Sequence, residues 1–300
     1  MGICDGRVVI ITGAGRGLGR AYALAFAAEG AQVVVNDLGA SLAGVGRDLS
    51  TAQAVVDEIL AAGGAAVANG DDVADWDGAA NIIRTAVDTF GTLDVVVNNA
   101  GMVRDRMFVS ATVDEWDATM RVHLRGHFCV ARHAVDFWRS RAKAGQPVDA
   151  RIINTTSGAG LQGSIAQSAY SAAKGGIASL TLVQAAELAR YGITANALAP
   201  AARTRMTEEA FATAMKKPES GFDAQDPDNV APAVVWLGSS ASRAVSGCVF
   251  ELQGGMIRLA NGWNDGPTMD KGARWAPNEL GPVMAQLLAA RPVQKKVWGS

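Results

Sequence analysis

Short apolar runs rich in β-branched residues alternate along the chain with longer stretches at helical spacing. Val8-Val9-Ile10-Ile11 is continuous enough to be a strand buried on both faces, running to Thr12. Gln32–Asp37, Ala65–Asn69, Leu93–Asn98, Arg151–Thr155, Thr194–Leu198 and Val249–Leu252 read the same way, the last two as the final strands. Between them the pattern predicts helices over Arg20–Glu29, ended by Gly30, over Leu49–Ala62, ended by Gly63-Gly64, and over Trp76–Phe90. Thr112-Val113-Asp114-Glu115 has the form of a capping box and opens a helical region to about Lys143, with Gly126 inside it as a candidate kink. A further helix carries Tyr170 and Lys174 and ends near Tyr191-Gly192. Leu38–Asp48 is a glycine-rich loop, and Met206–Asp228 reads as a mobile substrate lid with a short helix. Regular alternation predicts an α/β fold: one doubly wound parallel sheet with helices on both faces. We place it in residues 1–262, with 263–300 as a C-terminal extension containing a short helix at Asn278–Ala290. The extension is expected to pack as an arm on a neighbouring subunit or on its own body; the sharper alternative is that it closes the substrate cleft.

Composition narrows the function classes. Apolar residues are 49% and charged residues 19% of 300, as in a globular chain with a large core. Twenty-nine acids against 27 bases leave a net charge of -2, which gives no electrostatic footprint for nucleic acid. Cys4, Cys129 and Cys248 are widely spaced and odd in number, which argues against a disulfide framework or a metal site and for a reducing compartment. Met1 to Arg7 carries Asp5 and does not read as a signal peptide, no apolar run is long enough to span a membrane, and Trp298-Gly299-Ser300 is not a peroxisomal signal. A cytoplasmic location follows as the expectation.

Candidate chemistry begins after the first strand. Thr12-Gly13-Ala14-Gly15-Arg16-Gly17-Leu18-Gly19 joins a strand to a helix, an arrangement that aims backbone N–H groups and a helix N-terminus at a pyrophosphate. A Rossmann-like fold is therefore expected, although the glycine spacing is T-G-x-x-x-G-x-G rather than G-x-G-x-x-G. Asp37 closes the second strand, where a carboxylate can accept ribose hydroxyls and repel a 2′-phosphate, favouring NAD over NADP. Arg16 pulls the other way, and Asp37 is expected to prevail. Tyr170 and Lys174, four residues apart, share a helix face. A free phenol, with a pKa of about 10, transfers protons poorly at neutral pH, and a cation beneath it lowers that value. Ser157 stands thirteen residues before the tyrosine.

Taken in order, the glycine motif at 12–19, Asn98-Asn99-Ala100-Gly101, Ser157, Tyr170 and Lys174 resemble the short-chain dehydrogenase/reductase family over about residues 5–260. Within it, Val33-Val34-Val35-Asn36-Asp37-Leu38-Gly39, Arg104-Asp105-Arg106 and Arg121-Val122-His123-Leu124-Arg125-Gly126 are similar to the (3R)-hydroxyacyl-CoA dehydrogenase units of type 2 peroxisomal multifunctional enzymes. Bacterial 3-oxoacyl-carrier-protein reductases resemble the chain more distantly. The resemblance implies an enzyme that moves a hydride between a nicotinamide and a carbon bearing oxygen. Tyr170 is then the proton-transfer group, Ser157 orients the substrate oxygen, and Lys174 tunes the phenol and binds the nicotinamide ribose. His123 stands where the family has asparagine. Support of a water site ranks first for it, packing next and direct proton relay last. Gly13, Gly15, Arg16, Gly17, Leu18, Gly19, Asp37, Asp72, Val73, Asn99, Ala100, Gly101, Pro200, Arg203 and Thr204 are the implied cofactor contacts, together with Tyr170 and Lys174. Pro200-Ala201 replaces the usual Pro-Gly, and alanine adopts positive φ only at a cost, so that loop is expected to differ.

The leading functional expectation is an NAD-dependent dehydrogenase of (3R)-3-hydroxyacyl thioesters. The alternatives are a steroid or small secondary-alcohol dehydrogenase, a 3-oxoacyl-carrier-protein reductase and, last, a non-catalytic dinucleotide sensor. Arg104, Arg106, Arg203, Arg205, Lys216 and Lys217 are candidate partners for coenzyme A phosphates, with plain surface charge as the alternative, and Met102, Met107, Met206 and Met215 candidates for an apolar pocket, with simple packing as the alternative. The resemblance also implies a homotetramer or homodimer paired through Thr112–Lys143 and Gln167–Arg190. Phe128, Val130, Val135, Phe137 and Trp138 on the first, and Leu180, Leu182 and Val183 on the second, support that by leaving those helices apolar on more than one side.

Overall fold

The structure is a computed structural model that describes residues 2–40, 46–204, 215–293 and 295–300. Eight strands form one sheet: β1 (Val8–Thr12), β2 (Gln32–Asn36), β3 (Ala65–Asn69), β4 (Val95–Asn98), β5 (Ala150–Thr155), β6 (Ile193–Ala201), β7 (Val249–Gln253) and β8 (Met256–Leu259). The order across the sheet is β3-β2-β1-β4-β5-β6-β7-β8. All neighbours are parallel except β7 and β8, which form an antiparallel hairpin at the edge. That edge strand is an addition to the expected set. Its four residues follow Gly254-Gly255 and are mostly exposed, so they carry little apolar signal.

The strands of β1 show why both faces are covered. Val9 and Ile11 point into one buried cluster with Tyr22 and Phe26 of α1 (Gly17–Ala28) and Ile59 of α2 (Ser50–Ala61). Val8 and Ile10, one residue out of phase, point into the other with Ile82 of α3 (Trp76–Phe90) and Trp138 of α5 (Gly126–Lys143). Each such buried aliphatic side chain contributes about 1.5–3 kcal/mol. A helix absent from the expectation, α8 (Ala231–Gly238), completes the first cluster through Val234 and Val235.

Caps fix where the helices begin. Asp75 accepts from Gly78 N at 2.7 Å to start α3, and Gly91 ends it at φ +80. The Thr112 capping box forms as expected: its hydroxyl accepts from Glu115 N at 3.2 Å, and Glu115 accepts from Thr112 N at 3.1 Å. It opens α4 (Val113–Met120). Gly126 is helical, with φ of -60 and ψ of -46, and the irregularity before α5 is a π turn over Arg121–Arg125. A short α6 (Gly158–Gln162) precedes α7 (Ser168–Leu188), the helix of Tyr170 and Lys174.

Ala201 continues β6 opposite Gln253 in extended conformation, so the Pro200-Ala201 step bears no positive φ. After β8 the chain is largely exposed through α9 (Leu280–Ala290), which buries none of its residues. Its last residues return to the body, where Trp298 bridges Ser164. Arg205 and the first part of the expected lid, residues 206–214 with Met206 among them, lie outside the described residues, as do residues 41–45 of the 38–48 loop.

Candidate active site

The strand order reverses between β1 and β4, and the crevice at their carboxyl ends is where this architecture places ligands. A cleft of about 340 Å³ opens there. It runs from Gly13, Arg16–Gly19, Asp37, Asp72 and Val73 past Asn99–Met102 to His123, Tyr170, Lys174, Pro200 and Thr204.

The glycine turn is held by side-chain bonds to backbone. Asn99 Nδ2 donates to Thr12 O at 3.0 Å and Gly13 O at 3.1 Å, while Thr12 Oγ1 accepts from Asn99 N and Ala100 N at 3.0 and 3.1 Å. Packing leaves no space: a Cβ on Gly19 would lie 2.1 Å from Gly13 O. Asp37 Oδ2 accepts from Gly15 N at 2.8 Å and Oδ1 from Gly39 N at 2.7 Å, which locks the carboxylate at the rim. Arg16 Nη2 donates to Thr51 Oγ1 at 3.2 Å, on α2. No side chain caps α1, so its first N–H groups, with the positive end of the helix dipole, face the cleft. A dinucleotide pyrophosphate fits that donor set. Asp72 is an ion-pair partner of Arg121 at 2.7 Å and caps Ala74 N at 2.8 Å.

At the other end Lys174 is buried, with Nζ donating to Thr155 O at 2.6 Å and lying 5.6 Å from the Tyr170 ring centre. Burial pushes Lys174 down to about 7. Burial also pushes the Tyr170 phenol up; a hydrogen bond with Ser157 pulls it back and the charge of Asp105 raises it. Desolvation is the largest of these, and Ser157 is the neighbour that acts toward phenolate. Ser157 itself caps α6, its Oγ accepting from Ala159 N at 3.2 Å. It stands beside the tyrosine rather than in the cleft lining.

His123 sits in the π turn, packed edge-on to Tyr170 with ring centres 5.2 Å apart. Its Nε2 lies 2.7 Å from Met102 O and 3.2 Å from Met102 N. Burial, then the charge of Lys174, pushes its pKa down to about 3. The ring is neutral at physiological pH and ill suited to carry a proton. Its Nδ1 is buried without a protein partner. Gly101 is required beside it, since a Cβ there would meet His123 Cε1 at 2.6 Å. His127 was not singled out from the sequence. It is buried one turn on, held far below its ordinary pKa by desolvation and then Lys174, and its Nε2 accepts from Thr155 N at 3.3 Å. Thr155 therefore takes Lys174 on its carbonyl and His127 on its amide. A histidine one helical turn after another was the available signal.

Arg203 departs from the expectation. Its guanidinium pairs with Asp223, and its backbone N–H donates to Gln225 O at 2.6 Å. That anchors the 215–225 segment and keeps Arg203 off the cleft wall, whereas Thr204 stays on it, against Gly17.

Residues 7–215 match the short chain dehydrogenase family. The chain belongs to that family. As a short-chain dehydrogenase it is an oxidoreductase, of a family that works with NAD or NADP. It is 42% identical over 298 residues to the hydroxyacyl-CoA dehydrogenase ChsB1 of Mycobacterium tuberculosis, covering 96% of this chain and 90% of that one. It is 45% identical over 259 residues to the peroxisomal multifunctional enzyme type 2 of Mus musculus, covering 86% of this chain but 32% of that protein. The crystal structure of a short chain dehydrogenase from Mycobacterium avium superposes with a TM-score of 0.90 at 60% identity, covering all of both chains. Among the described residues, no helix of this short-chain dehydrogenase is long and apolar enough to cross a membrane.

Proposed function

We propose that this short-chain dehydrogenase interconverts (3R)-3-hydroxyacyl and 3-oxoacyl thioesters, most readily of coenzyme A, with NAD. The observation that carries the reading is one continuous cleft joining an uncapped helix N-terminus and Asp37 at one end to Tyr170 and Lys174 at the other. Relatives named for hydroxyacyl-CoA dehydrogenation support the substrate class. The dinucleotide, when bound, supplies or takes the hydride. The chain's part is the proton and the geometry. Tyr170 gives a proton to the forming alkoxide or takes one from the alcohol, Ser157 holds the same oxygen, and Lys174, steadied by Thr155 O, binds the nicotinamide ribose. Gly13, Arg16–Gly19, Asp72, Val73, Asn99–Gly101, Pro200 and Thr204 form the cofactor wall, while Gly15 lies behind it with its N–H on Asp37. Asp37 selects NAD because a 2′-phosphate would meet a carboxylate already fixed by two amides. His123 supports a water site through its unpartnered Nδ1 rather than relaying protons.

NADH formation followed with (3R)- and (3S)-3-hydroxyacyl-CoA, free 3-hydroxy acids and steroids tests the reading. Turnover of the (3R)-thioester with NAD is expected. A steroid or small alcohol as the sole substrate would replace it with the second reading. One observation favours that second reading: Arg106 pairs with Glu115 and Arg203 with Asp223, so two of the candidate phosphate-binding cations are already engaged. A homotetramer or homodimer is part of the proposal, since Phe128, Leu182 and Val183 on α5 and α7 are 45%, 53% and 48% exposed. Light scattering showing a fully active monomer would remove it.

A further inference from the structure

Ser157 leads α6, and α6 is gripped from two sides. Gly158 and Gly160 differ by two positions, about 200° around a helix, so they face opposite ways. A Cβ on Gly160 would lie 2.6 Å from the Lys174 backbone carbon, so α6 rests on α7 without intervening side chain. A Cβ on Gly158 would lie 2.4 Å from Trp298 Cη2 and 2.7 Å from Cζ2, so the opposite side rests on the chain's own tail. The tail is attached by backbone as well: Ile165 N donates to Trp298 O at 2.9 Å and Trp298 N to Gly163 O at 3.2 Å. Lys295 fastens its start to Glu251 of β7 at 2.5 Å. The stretch beneath the tail is strained. Ala166 has φ +63, the only non-glycine residue at positive φ among the described residues, and such conformations persist where surroundings over-determine them. Here the tail holds one side, and Arg106 N donates to Ala166 O at 2.7 Å on the other.

We propose that Lys295–Ser300 is a strap that presses α6 onto α7 and so sets Ser157 against Tyr170, with Trp298 as its positioning residue. The strap ties the segment that follows Ser157 to Glu251 on β7, next to the far edge of the sheet. The proposal rests on the functional reading above only for the choice of assay substrate.

Trp298 is 46% exposed, so its replacement leaves the core intact. The full chain carrying Trp298→Ala or Trp298→Phe is compared with wild type by amide hydrogen exchange across 158–167, by kcat and KM with a (3R)-3-hydroxyacyl-CoA, and by NADH affinity. For Trp298→Ala we expect exchange at Ile165 about tenfold faster, reporting local opening of the strap. We expect kcat to fall about tenfold with the NADH dissociation constant within about twofold, and Trp298→Phe to restore most of both. Unchanged exchange overturns the strap. So does a fall in kcat without an exchange change, because the effect would not then pass through α6, or faster exchange with kcat and KM both unaltered. If wild type turns over no thioester, the functional reading fails on its own. Exchange at Ile165, which needs no substrate, then decides the strap.

Discussion

The two ends of the cleft are built by different means. At the cofactor end, the glycine turn is fixed by Asn99, Thr12 and Asp37, whose side chains bond backbone a short distance away across neighbouring parallel strands. At the proton-transfer end, Ser157, Tyr170, Lys174 and His123 arrive on three separate segments, and the tail comes from the far terminus to hold one of them. The cofactor end is a rigid receptor made by local strand-to-helix geometry. The other end is an assembly, and its precision depends on packing between segments.

Substitutions can break that contrast. Tyr170→Phe removes only the proton-transfer group, so turnover should fall by about a thousandfold, within the range for a lost acid–base group. NADH affinity by calorimetry should stay within about twofold. Activity within tenfold of wild type would remove Tyr170 as the proton-transfer group, and a large loss of NADH affinity would show that the two ends are not functionally separate. Gly19→Ala strikes the receptor instead. The added Cβ collides with a carbonyl that Asn99 already holds, and NADH affinity should weaken about a hundredfold, about 2.7 kcal/mol. A titration in which affinity is kept would show the turn to be adaptable rather than rigid.

Asp37→Ala should bring NAD and NADP nearer to parity, with a swing of about tenfold in the ratio of their kcat/KM values. Gly15 and Gly39 also lose an acceptor, so NAD binding should weaken as well. A wild-type preference for NADP would mean that Arg16 prevails.

The smallest effect is expected at His123. His123→Asn should keep turnover within about tenfold, since a neutral, desolvated ring is not the proton carrier. Its signature is acid stability. The folded pKa of about 3 lies below the ordinary 6.5, so through that window the unfolded chain binds a proton that the folded chain refuses. Stability therefore falls as pH drops from 6.5 toward 3, and His127 acts in the same direction. Replacing His123 should make the fall in melting temperature between pH 7 and pH 5 shallower than in wild type. Identical slopes in the two proteins would argue that the ring is not held neutral.

Much of the cofactor end was legible in the sequence, because strand, glycine turn, helix and terminal carboxylate are close neighbours in the chain. The strands and the Thr112 cap were also readable, from alternation and spacing that local physics imposes. Three features were hidden for physical reasons. The π turn at Arg121–Arg125 sits between two ordinary helices, and its residues have no special spacing to mark it. The helix at Ala231–Gly238 is apolar nearly all round, so it lacks the polar stripe that marks a surface helix. The seat of Trp298 on Gly158 is a contact between distant parts of the chain, where neither residue hints at the other. Arg203 shows the converse: its basic character was visible, but the carboxylate that captures it was not.

The π turn has a further consequence. A π turn accommodates one residue more than an α turn, so α5 runs on from α4 with its phase offset. Removing one residue from 121–125 would let the turn close to ordinary α geometry while α5 kept its place on the sheet. His127, Val130 and Trp138 would stay where they are. What would go is the widened turn that seats His123 against Met102 and Tyr170. The stretch is one residue longer than a plain helix needs, and that surplus residue serves the cleft rather than the core.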